Sequence, residues 1–298
     1  MRYTEERYIS LLTDFGFKRI FGTLPNKDLL ISFLNSLFNG EEVVKDVHLL
    51  NREHVGDVYA ERKAIFDVYC ENERGEKFIV EMQNAKQHYF KDRSLYYATF
   101  PIREQAPKGQ DWNFKLAHVY VVALLNFDMH EEAFARDSII HDVALIDKET
   151  NKVFNEKLRF KYVEVAKFNK NLDELDTLYD KWIYVLKNLA RLNKQPAHLR
   201  NAVFDHLFSE AEIASFTHTE LKEYEDSLKA YRDIKNSLDT AKDEGRAEGM
   251  AKGMAEGLAK GRVETLNKMV SEMKREGLGY DLIEKLTGLS QKDIDAIP

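Results

Sequence analysis

The feature that most restricts this chain is an alternating hairpin, AIFDVYC–ENERGE–KFIVEMQ, over residues 64–83. Residues 64–70 and 77–83 are rich in β-branched and aromatic side chains, and the polar segment between them carries Gly75. A three-residue loop at Glu73-Arg74-Gly75 puts the glycine in the left-handed position that such loops need. The register that follows pairs Asn72 with Glu76, Tyr69 with Ile79, and Asp67 with Glu81. Alternation then sorts the faces. Phe66, Val68, Cys70, Phe78, Val80 and Met82 form one wholly apolar side, expected in the core; Ile65, Asp67, Tyr69, Ile79, Glu81 and Gln83 share the other.

Two carboxylates directly opposite each other have β-carbons about 5 Å apart, and like charges so placed weaken a hairpin. Solvation, a raised pKa on one member, or a divalent cation between them relieves the repulsion. Hard oxygen ligands on one sheet face suit Mg2+, which keeps several waters and accepts phosphate oxygens from a substrate. A water delivered beside Gln83 would then attack a phosphodiester while the ion neutralises developing charge. Solvent-facing Asp and Glu on an antiparallel hairpin are also common, so the pair alone leaves a purely structural reading open.

Around the hairpin the pattern is mixed. Residues 8–22 read as a short helix and turn, and residues 24–38 as an amphipathic helix ended by Asn39-Gly40. Strands are expected at 43–50, at 116–127 and at 160–168, with a helix over 86–105. From Asn171 helices dominate to about Phe216, so an α/β core with a helical appendage is expected over residues 1–225. Residues 244–262, EGRAEGMAKGMAEGLAKGR, repeat glycine every fourth position, and a long helix is expected over 226–265. Each interior glycine costs about 1 kcal/mol relative to alanine, roughly 5 kcal/mol for five, and something must offset that. A weakly helical spacer is one reading; homo-oligomerisation through close helix approach is the other. Residues 266–298 form a short helical tail, with helices at 280–286 and 291–297 and Ser290 capping the second. Such a pair either packs on itself or a partner, or reads DNA as a helix-turn-helix.

Composition excludes more than it selects. Apolar residues make up 44% and charged residues 32%, as in a soluble globular protein. The net charge of −7 argues against broad affinity for nucleic acid while leaving a local basic cleft possible. One cysteine, Cys70, fits a reducing compartment. The first ten residues are charged, and the longest apolar run, 116–127, is too short to span a bilayer. A cytoplasmic protein without membrane attachment is therefore expected. The nine histidines show no zinc-ligand spacing with cysteine, and no phosphate loop, nucleophile elbow or dinucleotide fingerprint is present.

The run FDVYCENERGEKFIVEMQ resembles the D…ExQ form of the PD-(D/E)XK nuclease core, and LLTDFGFKRIFG resembles the opening of the recombination-promoting nuclease and transposase family within that fold. RSLYYA (93–98), LAHVYVVALLNF (116–127) and the glycine-every-four helix follow in the order such proteins have them, so the resemblance spans about residues 8–265. It implies a restriction-endonuclease-like α/β fold, a mixed central sheet flanked by helices, and a Mg2+-dependent endonuclease acting on DNA. It also implies roles: Asp67 and Glu81 as metal ligands with the Met82 carbonyl as a third, and Gln83 where the wider fold usually has lysine. Glutamine carries no charge and is no base, but its amide orients water. Lys18 supplies the missing cation if the first helix folds over the site, and Asp14 adds an acidic contact from that helix.

A basic stretch follows the hairpin: Lys86, His88, Lys91, Arg93, Arg103 and Lys108, interleaved with Tyr89, Tyr96 and Tyr97. Such a mixture suits phosphate and base contacts, with Lys86, Lys91 and above all Arg93 as nucleic-acid-binding candidates. A solvated helix face explains the same residues. The departure at Gln83 keeps an alternative function in view: a nuclease fold without catalysis, serving as a DNA-binding or oligomeric assembly module.

Overall fold

The computed structural model describes residues 6–51, 53–54, 64–106 and 113–298; Lys108 lies outside them. The chain divides into two compact units, Met1–Lys235 and Asn236–Pro298.

The first unit is built on a six-stranded mixed sheet. Its strands are β1 (Val47–Leu49), β4 (Val68–Asn72), β5 (Lys77–Gln83), β6 (Val119–Leu125), β7 (Ile140–Ile146) and β8 (Val153–Glu164), in the spatial order β1-β4-β5-β6-β8-β7. β5, β6 and β8 run parallel, and the other neighbours are antiparallel. A separate ribbon pairs β2 (Glu53–His54) with β3 (Ala64–Ile65). The helices are α1 (Asp14–Phe21), α2 (Lys27–Phe38), α3 (Phe90–Glu104), α4 (Leu178–Asn188), α5 (Ala202–Glu210), and the first part of α6 (His218–Arg275). This is the α/β architecture of the PD-(D/E)XK fold, with a long helix towards the C-terminal end.

Parallel strands need crossovers, and the crossovers cover both faces of a sheet. One core joins Val68, Cys70, Phe78, Val80, Met82, Tyr120 and Val122 to α1, α2, α4 and α5, where Phe21, Phe33, Trp182 and Phe204 interlock. Truncating such a buried aromatic costs about 3–5 kcal/mol. α4 and α5 thus belong to the main core. The second core packs Tyr69, Ile79, Val121, Ala123, Phe160 and Tyr162 against α3 through Phe90, Ala98 and Phe100. The hairpin face expected to carry polar groups is therefore apolar in its middle, at Tyr69 and Ile79, with the Glu71–Lys77 ion pair at the turn end and the Asp67–Glu81–Gln83 group at the other.

The hairpin register is Val68 with Val80, Tyr69 with Ile79, Cys70 with Phe78, and Glu71 with Lys77. Gly75 has φ +76°, and Asn72 N–H donates to the Glu76 carbonyl at 3.0 Å across the turn. One expectation fails. Phe66 does not share the face of Val68 and Cys70; it packs in the second core against Tyr69, Tyr97 and Phe100. The chain bends at Asp67, between β3 and β4, so alternation does not carry through that residue. Other differences are in extent. β1 begins at Val47 rather than 43, β8 starts at Val153 and yields to a 3-10 turn after Glu164, and α2 is preceded by a 3-10 turn at Leu24–Asn26. β7, an edge strand of mixed polarity, has no clear signal in the sequence.

α1 is held at both ends of its approach. Thr13 accepts from Gly16 N–H at 3.1 Å and donates to the Ser10 carbonyl at 2.7 Å. A Cβ on Gly16 would lie 2.1 Å from that carbonyl, so no larger residue fits there. From α6, Tyr224 Oη accepts from Ser10 N–H and Ser227 Oγ from Phe15 N–H, each at 3.0 Å.

The second unit contains the rest of α6, α7 (Tyr280–Thr287) and α8 (Gln291–Ala296). Its small core is Val270, Ile283, Ile294 and Ile297. Gly288, at φ +72°, ends α7, and Ser290 caps α8 by accepting from Asp293 N–H at 3.3 Å. The five glycines from Gly245 to Gly261 all lie inside α6, with nothing within 4 Å of an added Cβ.

Candidate active site

The bend at Asp67 is what builds the site. In an antiparallel pair, alternate residues exchange both backbone bonds with the strand opposite. Asn72 N–H donates to the Glu76 carbonyl, while Tyr69 and Lys77 bond outwards to Leu50 and His118, so the pairs whose backbone groups face each other across the hairpin are Cys70–Phe78 and Val68–Val80, leading towards position 66 opposite Met82. There the chain bends away, and Asp67 Oδ2 takes the Met82 N–H at 2.8 Å in place of a backbone carbonyl. The N–H and C=O of one strand residue share an edge, so the Met82 carbonyl faces the same gap. Glu81 Oε1 in turn accepts from Asp67 N–H at 3.3 Å. Each acidic residue is thus tied to the backbone beside the other.

Glu81 is 6% exposed, and the Asp67 side chain is 20% exposed. Burial, reinforced by the facing Asp67 charge, pushes the Glu81 carboxyl up to about 8. Burial also raises Asp67, against the opposing pull of the Met82 N–H and the Lys18 ammonium. The negative charge of this pair is therefore under-compensated by the protein.

Two cations stand beside it. Lys18 Nζ lies 3.8 Å from Asp67 Oδ1 and 2.5 Å from Asp14 Oδ1, bringing the first helix onto the pair. On the other side Arg93 Nη2 donates to Gln83 Oε1 at 2.6 Å, and Gln83 Nε2 donates to Glu81 Oε2 at 3.3 Å. Arg93 also donates to Gln87 Oε1, and its guanidinium lies over the Phe90 and Tyr97 rings. The Tyr97 hydroxyl is pushed up by burial and by the Glu81 charge. The sequence marks Tyr97 only as one of several interleaved tyrosines; its i+4 spacing from Arg93 is the one signal that points to this place. A cleft of about 490 Å³ adjoins the site, lined by Asp14, Phe15, Lys18, Arg19, Gly22, Thr23, Glu220, Glu223 and Ser227.

The other basic candidates lie elsewhere. Lys86 Nζ donates to the Met129 carbonyl, and Lys91 pairs with Glu131 at 2.8 Å. Both are exposed and fasten the start of α3 to the segment after β6. Tyr89 and Tyr96 are exposed on α3 and just before it.

The donor set at Asp67, Glu81 and the Met82 carbonyl is all hard oxygen, and its charge is under-compensated, so it fits a divalent cation such as Mg2+. A second donor cluster, Glu42, Glu76 and His118, lies at the opposite end of β5 from Glu81, about 17 Å away at strand rise. Its carboxylates already bind Arg74, and Asn72 Nδ2 donates to Glu76 at 2.6 Å, which makes it a charge network closing the hairpin.

Among the described residues no helix is long and apolar enough to cross a membrane. No curated protein and no solved structure matches the chain. A family model described as PD-(D/E)XK nuclease family transposase matches residues 11–241, a span that holds Lys18, Asp67, Glu81, Gln83 and Arg93. With its mixed sheet and its paired carboxylates at the bend of the hairpin, the chain belongs to the PD-(D/E)XK nuclease family transposases.

Proposed function

We propose that this protein is a Mg2+-dependent endodeoxyribonuclease that works in the cytoplasm, in recombination or on mobile elements. The observation that carries the reading is the buried Asp67–Glu81 pair, whose raised carboxyls mark a charge that a cation would relieve. Asp67, Glu81 and the Met82 carbonyl would hold the ion. Bound there, it would supply a nucleophilic water at neutral pH and neutralise charge on the phosphate. The remaining work falls to the chain. Lys18 balances Asp67 and lies within reach of an anionic substrate, and the Gln83 amide offers hydrogen-bond donors in place of a lysine's charge. Supercoiled plasmid incubated with the full chain in Mg2+ or Mn2+ should be nicked. Asp67→Ala and Glu81→Ala should each abolish nicking; if both variants cut as the parent does, the activity does not reside here.

A second reading rests on α6. Five glycines without neighbours cost an isolated helix about 5 kcal/mol, so packing against a second copy would offset a real penalty. On this reading the protein is an oligomer, with or without catalysis. Sedimentation of the parent against a variant with all five glycines replaced by alanine tests it: assembly should be lost in the variant.

A further inference from the structure

We infer that Arg93 is a positioning residue that acts through Gln83, holding the amide so that its NH2 faces the carboxylate pair, and is not a contact to the DNA backbone. The inference rests on the endonuclease reading for its kinetic consequence, but its structural content stands apart from it.

A free glutamine amide can present either end to a neighbour, and only its hydrogen-bond partners decide which. Arg93 has donors only, so the Gln83 oxygen must face it, as it does at 2.6 Å. The amide nitrogen is then turned to Glu81 Oε2, 3.3 Å away. Gln83 sits at the end of β5, and Asn126 N–H fixes its backbone carbonyl at 2.9 Å, so only the side-chain torsions remain to be set.

Arg93 is itself well held. Its guanidinium spans two glutamine carbonyls, Gln83 and Gln87, and lies 5.4 Å from the Phe90 ring centroid and 5.6 Å from that of Tyr97. Phe90 and Tyr97 sit three residues before it and four after it on α3, so one helix face cradles the cation. A planar guanidinium gripping two carbonyl oxygens is pre-organised in a way that a lysine could only partly reproduce. Its hydrogen bonds to the two amide oxygens and its seat against the two rings fix the guanidinium towards Gln83.

The test uses the full chain and three variants, Arg93→Ala, Arg93→Lys and Gln83→Ala, together with the Arg93→Ala/Gln83→Ala double variant. In plasmid cleavage with Mg2+, Arg93→Ala should lower kcat at least tenfold while KM for DNA stays within twofold. Arg93→Lys should recover part of the loss, and the double variant should be no slower than Gln83→Ala alone. In DNA binding with Ca2+, Arg93→Ala should keep both affinity and salt dependence. Loss of affinity with the salt slope reduced by about one would make Arg93 a phosphate contact and overturn the inference. A readout free of catalysis is the side-chain amide resonance pair of Gln83 in 15N-labelled protein, assigned by its disappearance in Gln83→Ala. It should be rigid in the parent, mobile in Arg93→Ala and intermediate in Arg93→Lys. A rigid amide in Arg93→Ala overturns the inference whether or not the protein cuts DNA. Release of the amide in a protein that cuts nothing supports the positioning role and removes the endonuclease reading instead.

Discussion

Replacing Glu81 with glutamine should make the metal-free protein more stable at neutral pH, although it removes a group placed at the centre of the site. In the fold the Glu81 carboxyl keeps its proton up to about pH 8, whereas the unfolded chain gives it up near 4.5. Between those values the native state binds more protons than the unfolded one, so stability falls as pH rises through the window and levels off above it. Each unit is worth about 1.4 kcal/mol, so by pH 7 the deficit in the parent is about 3 kcal/mol. The substituted amide would still accept from Asp67 N–H through its oxygen, but its NH2 would meet that of Gln83, and the lost hydrogen bond costs about 1 kcal/mol. The net gain is about 2 kcal/mol at pH 7, or roughly 4–8 °C in Tm for a unit of this size. Below pH 4.5 the gain should vanish and leave the variant level with the parent or slightly weaker. Urea and thermal melts in chelator, from pH 4 to pH 8, measure this. A difference between variant and parent that does not change with pH, or a variant less stable at pH 7, would refute the argument from burial and charge.

Adding Mg2+ should raise the Tm of the parent by mass action, and Asp67→Asn should abolish that shift in the same differential scanning experiment. Gly16→Ala forces a Cβ to within 2.1 Å of the Ser10 carbonyl, and should cost about 1–3 kcal/mol in urea melts and loosen α1. Glu220 and Thr217 cap each other at the start of α6, and the Thr217 hydrogen bonds, with Arg19, hold the Glu220 carboxyl down to about 2. That stability is present above the ordinary carboxylate range and lost as pH falls through about 2, so Glu220→Gln should cost about 1 kcal/mol at pH 7 and much less at pH 2. Replacing the five α6 glycines with alanine should stabilise that helix by up to about 1 kcal/mol per site, read by circular dichroism as helicity retained on heating.

Much of the central hairpin is legible in the sequence because its signals are local and mutually consistent. Alternation and Gly75 give the register, and β5 runs from Lys77 to Gln83 as the apolar pattern indicates. Asn39, at φ +46°, and Gly40, at φ +87°, end α2 where an Asn-Gly pair should. The bend at Asp67 carries no glycine or proline, and so alternation puts Phe66 on the wrong face. β7 alternates poorly because it is an edge strand whose Asp142 binds Arg159 and Lys161 across to β8. Lys18 stands far from the hairpin in sequence, and its distance from Asp67 depends on how α1 docks through Thr13, Gly16 and the α6 residues Tyr224 and Ser227. The partnership of Arg93 with Gln83 depends on the pitch of α3 over the sheet. Pattern reading reports which residues share an element, and these contacts arise between elements.

The two acidic residues differ in mechanical character. Glu81 stands within β5 and is paired on one side with Ala123 of β6, whereas Asp67 hangs on a kink where the ladder between β4 and β5 has stopped. One arm of the pair is a fixed post and the other a hinged one. On the proposed metal-binding reading, ions whose bond lengths differ by a few tenths of an ångström, as magnesium and calcium do, would be matched by tilting a single side chain, while the sheet beneath keeps its shape.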